Sequence, residues 1–379
     1  MYQLLKGVRV LDLTTIVLGP YAGQMLGDFG AEVIKIEPPG GDLFRAVRPG
    51  RSPRMGAGYL NLNRNKKSVV LDLKTAAGRA GFRKLAESAD VLIHNMRVKS
   101  AAKLGLDYET LKGINPGIVY CLAPGFGQGG RNADQPAYDD IIQVASGLAA
   151  LNAGPDGAPR FLSTVVCDKV GGLHLAVAAL AGIAYKARTG QGCRIEAPMF
   201  ESMVAFLMAE QLSGMSFEPP LGGTGYDRLL SPHRRPFPTR DGYLGVLPYS
   251  GAHWSRFLKF IGRDDLAAAD WVQDPVRRSE NVGKLYEVVA EAMATKTTAQ
   301  WLTQLKELDI PCAPVNRLGD LIEEGHSRDV GLFVEFDHPS EGRLRGVRSP
   351  FTVTGVEQEP DLPAPELGEH TGALIGERR

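Results

Sequence analysis

Between residues 8 and 122, short apolar runs of strand length alternate with stretches of helical character, and this alternation is the strongest constraint on the fold. Residues 8–13, 31–37, 68–73, 91–95 and 118–122 read as strands. Helices are expected over 21–29, after a break at Gly19-Pro20, and over 75–88. Strands separated by helices need crossover connections, and crossovers on one sheet build a parallel, doubly wound α/β domain. Ligands of such domains sit beyond the carboxyl ends of the strands. Yet no G-x-G-x-x-G follows the first strand, and neither a P-loop lysine motif nor a G-x-S-x-G elbow occurs.

A second organising stretch is FLSTVVCDKVGGLHLAVAALAGIAYKARTGQGCRIEAPMF, residues 161–200. The apolar pair Val165-Val166 runs into Cys167 and Asp168, two glycines follow (Gly171, Gly172), and an Ala/Leu-rich helix comes next. Gly190 and Gly192 close that helix, and residues 193–197 read as the next strand. Asp168 is therefore expected just before or within the first turn, where free N–H groups and the helix dipole favour negative charge. An N-cap role alone is the bland reading of an aspartate so placed.

Lys+Arg and Asp+Glu both number 43, so no net field favours nucleic acid, and no basic run carries interleaved aromatics. Glycines and charges interrupt every apolar run, which argues against a membrane span. The N-terminus shows no signal-peptide core. None of the four cysteines (Cys121, Cys167, Cys193, Cys312) or seven histidines has metal-ligand spacing, so a cytoplasmic protein with free thiols and no metal is expected. His174, on the Asp168 helix, reads as a packed core imidazole. The passage PPLGGTGYDRLLSPHRRPFPTRDG marks a shift in composition and reads as a linker into a second domain. That domain shows a strand near 243–247 and helices near 253–261, 282–293 and 298–308. From about Gly331 strand character returns, at 333–336 and again at 350–353, before a Pro-rich crossing segment and a last helix.

Several groups suit an anionic ligand. Lys66 and Lys67, in the turn after Asn63-Arg64-Asn65, offer point charges to a phosphate, although a solvated charge run needs no function. His94-Asn95-Met96-Arg97 ends the fourth strand, where a switch-point ligand belongs. Arg234 and Arg235 suit the second carboxylate of a dicarboxylic acid, or are surface charges.

The chain resembles the CoA-transferase family III proteins, the group of formyl-CoA transferase, carnitine CoA-transferase and α-methylacyl-CoA racemase. The resemblance rests on VLDLTTIVLGPYAGQMLGDFGAEVIKIEPPGGD, NLNRNKKSVVLDLKT, HNMR, GPDGAPR, CDKVGGLHLAVAALAGIAYKARTGQG and PELGEHT, in that order. It implies an α/β enzyme with a large Rossmann-like domain built from both termini and a smaller central α+β domain, two chains forming an interlocked homodimer. The expected partition is 1–215 for the CoA-binding part, 216–325 for the small domain and 326–379 for the return to the large one. The substrates implied are an acyl-CoA, with coenzyme A as co-substrate, and a free carboxylic acid.

The family's nucleophilic aspartate falls on Asp168, which would attack the thioester and form a mixed anhydride and then an aspartyl-CoA thioester. The glycine loop with Gly222 and Gly223 resembles the active-site loop of formyl-CoA transferase, with Thr224 interrupting it. CoA contacts are implied at Asn65, Lys66, Lys67, Asn95, Arg97 and Lys103, while Pro38 and Met96 depart from the family pattern. The racemases pair the aspartate with a histidine, and Tyr138 occupies that position here. A phenol of pKa about 10 is a poor base at neutral pH, so transfer is favoured over epimerisation, and an intact Asp168 argues against a non-catalytic acyl-CoA-binding protein. Val17 and Leu18 stand where formyl-CoA transferase holds oxalate with a glutamine, which disfavours an oxalate/formate pair.

Overall fold

The computed structural model describes residues 1–376. By contact density the chain divides into a large unit, residues 1–207 with 331–379, and a small unit, residues 208–330. The large unit begins β1 (Arg9–Asp12), α1 (Leu18–Asp28), β2 (Glu32–Glu37), α2 (Ala57–Leu62), β3 (Lys66–Val70) and α3 (Ala76–Ala86). It continues β4 (Val91–His94), α4 (Val98–Lys103), α5 (Tyr108–Ile114), β5 (Val119–Leu122), α6 (Asp139–Ala145) and α7 (Leu148–Leu151). Then come α8 (Val166–Thr189), β6 (Cys193–Glu196) and α9 (Met199–Gln211). Six strands form one parallel sheet in the order β3-β2-β1-β4-β5-β6. Chain direction across the sheet reverses between β1 and β4, so the crevice at their carboxyl ends is the switch point.

Period-two alternation sorts the strand residues between the two faces of the sheet. Val10, Val33, Ile93, Val119 and Cys121 pack on one side with Leu26 of α1 and Leu175 and Ala179 of α8. Leu11, Ile34, Leu92, Tyr120 and Leu122 pack on the other with Phe82 and Leu85 of α3. Each fully buried aliphatic side chain contributes roughly 1.5–3 kcal/mol. Helix ends follow local chemistry. The Thr75 side chain accepts from Gly78 N at the start of α3, and Gly190, at φ 72°, closes α8 in the left-handed conformation.

Gly19-Pro20 does not break the chain. Both residues lie in the first turn of α1, where a missing proline N–H costs no hydrogen bond. Gly171 and Gly172 likewise lie inside α8, which begins at Val166. β3 starts two residues earlier than expected, at Lys66, and ends at Val70. Residues 350–353 form no strand. β10 (Phe333–His338) instead pairs antiparallel with the charged segment β11 (Gly342–Val347). The crossing segment after it is tied to the start of the chain: the Met1 ammonium meets Asp361 at 2.8 Å, and Arg45 donates to Pro365 O at 3.2 Å. His370 N donates to Ser68 O at 2.9 Å and Thr371 Oγ1 accepts from Val70 N at 3.0 Å, so this segment covers the edge strand β3. By length and composition α8 could cross a bilayer, contrary to the expectation that no run is apolar enough, and half of its most apolar window is buried inside the protein.

The small unit carries a three-stranded antiparallel sheet of β7 (Phe237–Pro238), β8 (Tyr243–Val246) and β9 (Cys312–Pro314). Its core gathers Phe237, Leu244, Trp254, Phe257, Tyr286 and Trp301. The helix Thr298–Glu307 opens with a capping box between Thr297 and Gln300.

Candidate active site

Asp168 is the third residue of α8, within the first turn. The same helix terminus meets the start of α6, where Asp139 Oδ1 accepts from Asp168 N at 3.0 Å. Asp139 is held in turn by Gln143 Nε2 at 2.6 Å, and Gln143 Oε1 accepts from Leu162 N at 2.9 Å. No cation pairs with Asp168 or Asp139 among the described residues. Burial, and then the charges of Asp139 and Asp140, push the Asp168 carboxyl up to about 7. The neighbouring Cys167 thiol is pushed up to about 12, by burial first, and is inert at neutral pH. A carboxylate of raised pKa, poorly solvated when ionised, is a better base and nucleophile than a surface aspartate.

Tyr138 immediately precedes Asp139 as the residue before α6, and its side chain is 67% exposed. The structure therefore brings Tyr138 to the helix terminus that faces Asp168. Asp139 was the residue that sequence reasoning passed over. Its signal was the Asp139-Asp140 pair placed to start a helix. His174 is exposed rather than packed in the core, its Nδ1 lying 2.8 Å from Val170 O. Gly222 and Gly223 belong to the small unit, in an exposed loop whose neighbours Gly225 and Tyr226 are tied to Gln211.

The turn 63–68 differs most from its expected role. Lys66 is fully buried, and its ammonium donates to Asp12 at 2.9 Å, Pro20 O at 2.8 Å and Asn63 Oδ1 at 3.0 Å. Burial pulls it down to about 8 against the pull of Asp12. Such a side chain presents no charge to a phosphate. The Asn65 amide is also internal, bonded to Asp28, Asp361 and Leu362 N. Lys67 is partly exposed but pairs with Glu32 at 2.6 Å. Arg97 and Lys103, by contrast, are exposed at the two ends of α4 and make no ion pair among the described residues.

At the switch point the loop after β1 carries a non-glycine residue in the left-handed region, Ile16 at φ 70°. For a β-branched residue this costs about 1–3 kcal/mol. Asn95 faces this loop with both ends of its amide: Oδ1 accepts from Thr15 N and Nδ2 donates to Thr15 O, each at 3.1 Å. Behind it, His94 is buried with Nε2 at 2.7 Å from the Tyr120 hydroxyl and Nδ1 accepting from Met96 N. Burial pulls His94 down to about 4, so it is a neutral structural group.

A six-stranded parallel sheet with a switch point between β1 and β4, and a half-buried aspartate in the first turn of α8, define a doubly wound α/β protein, and comparison with known proteins narrows it. Residues 5–371 match CoA-transferase family III. A succinate–glutarate CoA-transferase of Agrobacterium fabrum is 32% identical over 98% of this chain and 95% of its own length. A succinyl-CoA:mesaconate CoA-transferase of Haloarcula hispanica is 32% identical over 98% and 96%. The solved structure of a CAIB/BAIF family protein from Brucella suis superposes with a TM-score of 0.81 at 28% identity, covering 99% of both chains. The chain belongs to CoA-transferase family III. It is an enzyme that moves coenzyme A between acyl groups and carboxylates.

Proposed function

We propose that Asp168 carries the transfer covalently. Its carboxylate attacks the donor thioester carbonyl, the C–S bond breaks, and CoA leaves as thiolate from a mixed anhydride. The thiolate then attacks the aspartyl carbonyl, releasing the donor acid and leaving an aspartyl-CoA thioester. The acceptor carboxylate attacks that thioester, giving a second anhydride, and the thiolate takes the acceptor acyl group and frees Asp168. Splitting one exchange into steps between groups of similar energy is the gain of nucleophilic catalysis. The observation that carries this reading is the Asp168 carboxyl in the first turn of α8, raised to about 7 beside Asp139.

Arg97 and Lys103 are proposed as the phosphate-facing cations for CoA. The related enzymes named above act on succinate, glutarate and mesaconate, and we extend a dicarboxylic acid acceptor to this chain. Arg228, Arg234 and Arg235 supply suitable cationic chemistry, lining a pocket of about 560 Å³ in the small unit. Homodimer formation is supported by exposed apolar side chains on α6 and α8, namely Ile141, Val144, Leu173 and Val177. Four free cysteines suit a reducing, cytoplasmic setting.

The test is acyl exchange with succinyl-CoA and a panel of mono- and dicarboxylic acids, with hydroxylamine present and thioesters followed by mass spectrometry. A new CoA ester together with a hydroxamate on the Asp168 peptide is expected. Solvent deuterium entering the α-carbon of a 2-methylacyl-CoA, with no exchange, would replace transfer by epimerisation.

A further inference from the structure

We infer that Asn95 and Asp42 are positioning residues for CoA transfer, holding residues 14–17 in the strained shape that seats the start of α1 against the Asp168 helix. The inference rests on Asp168 being the reacting group, as proposed above.

Strained backbone persists only where its surroundings over-determine it, and here the restraints are visible one by one. Thr14 N donates to Asp12 Oδ1 at 2.9 Å, and Thr14 O accepts from the Lys35 ammonium at 2.9 Å. Thr15 gives its N–H and its carbonyl to the Asn95 amide. Ile16 N lies 3.1 and 3.3 Å from the two oxygens of Asp42. Asp42 is itself pinned by Lys35 at 2.9 Å and donates its own N–H to Glu37 at 2.9 Å. The side chains come from β1, β2, the turn after β2 and the end of β4. A loop needing only to connect β1 to α1 would take glycine or asparagine at φ 70° and dispense with them.

The loop delivers Leu18. A methyl group on Gly172 would lie 2.5 Å from Leu18 O, and one on Gly171 would lie 2.8 Å from Leu18 Cδ1. These glycines are three and four residues beyond Asp168, hence on the same face of α8. Whatever fixes Leu18 therefore fixes the helix face that Asp168 heads. Asn95, implied as a CoA contact by the resemblance, becomes a clamp on this loop instead.

Three variants test the inference by CoA exchange kinetics and thermal unfolding. Asn95→Ala is expected to lower kcat about 10- to 100-fold, with KM for acyl-CoA within about twofold of wild type and the acid limb of the pH profile unmoved. Asn95→Asp, which keeps the acceptor for Thr15 N, is expected to fall between. Ile16→Gly removes the backbone strain, so it should raise Tm and yet lower kcat, because glycine widens the conformations open to residue 16 even though the hydrogen bonds of the clamp remain. A rise in KM for acyl-CoA with unchanged kcat in Asn95→Ala would make Asn95 a CoA contact and overturn the inference. So would wild-type kcat in Ile16→Gly, a variant that decides the matter even if Asn95→Ala does not fold. Exchange is read independently of hydroxamate trapping. Absence of the Asp168 hydroxamate in wild type would sink the covalent mechanism, while the variant ratios would still report on the clamp.

Discussion

Asp12 and Asp168 lie in the same unit and are both withdrawn from water, yet their carboxyls move in opposite directions. Burial pushes Asp12 up, but Lys66 at 2.9 Å, Lys35 and the Thr14 hydroxyl outweigh it, and the net shift is downward. Burial pushes Asp168 up, and the charges of Asp139 and Asp140 push the same way. Around β1–β3 every buried charge has its counter-ion: Asp12 with Lys66, Lys35 with Asp42, Glu37 with Arg45. Where α6 meets α8, like charges gather with none. The paired region uses its electrostatics to hold geometry. Under the proposed mechanism the unpaired region uses them to activate Asp168, and the inferred clamp on residues 14–17 links the two.

The sharpest break in this contrast is removal of the proposed nucleophile. Asp168→Ala should lower kcat by roughly 10³-fold or more, as loss of a nucleophile does, measured by thioester exchange. Next is removal of a paired member. Lys66→Met takes from buried Asp12 the ammonium bonded to it, leaving the more distant Lys35 and the Thr14 hydroxyl, and should cost about 3 kcal/mol in urea unfolding. Lys66→Met with Asp12→Asn should recover part of that loss, because the two sites are coupled.

A smaller effect carries a sign that only the unpaired region predicts. Native Asp168 holds its proton up to about pH 7, whereas the unfolded chain releases it near 3.8. Its contribution to stability is therefore complete below about pH 4 and is lost as pH rises through 7. Asp168→Asn, which cannot ionise, should be more stable than wild type above pH 7, by about 2–4 kcal/mol. The two should converge below pH 4 in denaturant titrations. Asp140→Asn removes a weaker neighbour and should move the acid limb of kcat/KM below its wild-type position near pH 7, with little change in fold stability. The exposed pair Lys99–Asp134, whose ammonium lies 2.5 Å from the carboxylate, belongs to neither region. Lys99→Ala should change unfolding by less than about 0.5 kcal/mol.

The strands and the place of Asp168 at the start of a helix were legible because they depend on local pattern: apolar runs of four to six residues, and an acid placed to open an Ala/Leu-rich helix. The reactivity proposed for Asp168 came from the family resemblance, not from that pattern. Lys66 was not legible. In NRNKKS it looks like its neighbour Lys67, and only the pairing of β3 with β2 directs one lysine inward and the other outward. Its counter-ion, Asp12, lies 54 residues away on a different strand. The glycine pair was placed ahead of the helix but lies inside α8. Small residues there let another backbone approach closely, as glycine allows, but which backbone comes close, that of Leu18, belongs to the tertiary structure alone.

The tie between the crossing segment and β3 has a consequence in time. Ser68 N meets His370 Nδ1 across 302 positions of sequence. At roughly 5–20 residues per second of synthesis, the ribosome takes about 15–60 s to make what lies between them. Through that interval β3 is an open strand edge, the kind that invites pairing with another chain. The newborn protein must be shielded at that edge until His370 and Thr371 emerge, so a chain stopped just before them loses the cover of β3 and not merely a few residues.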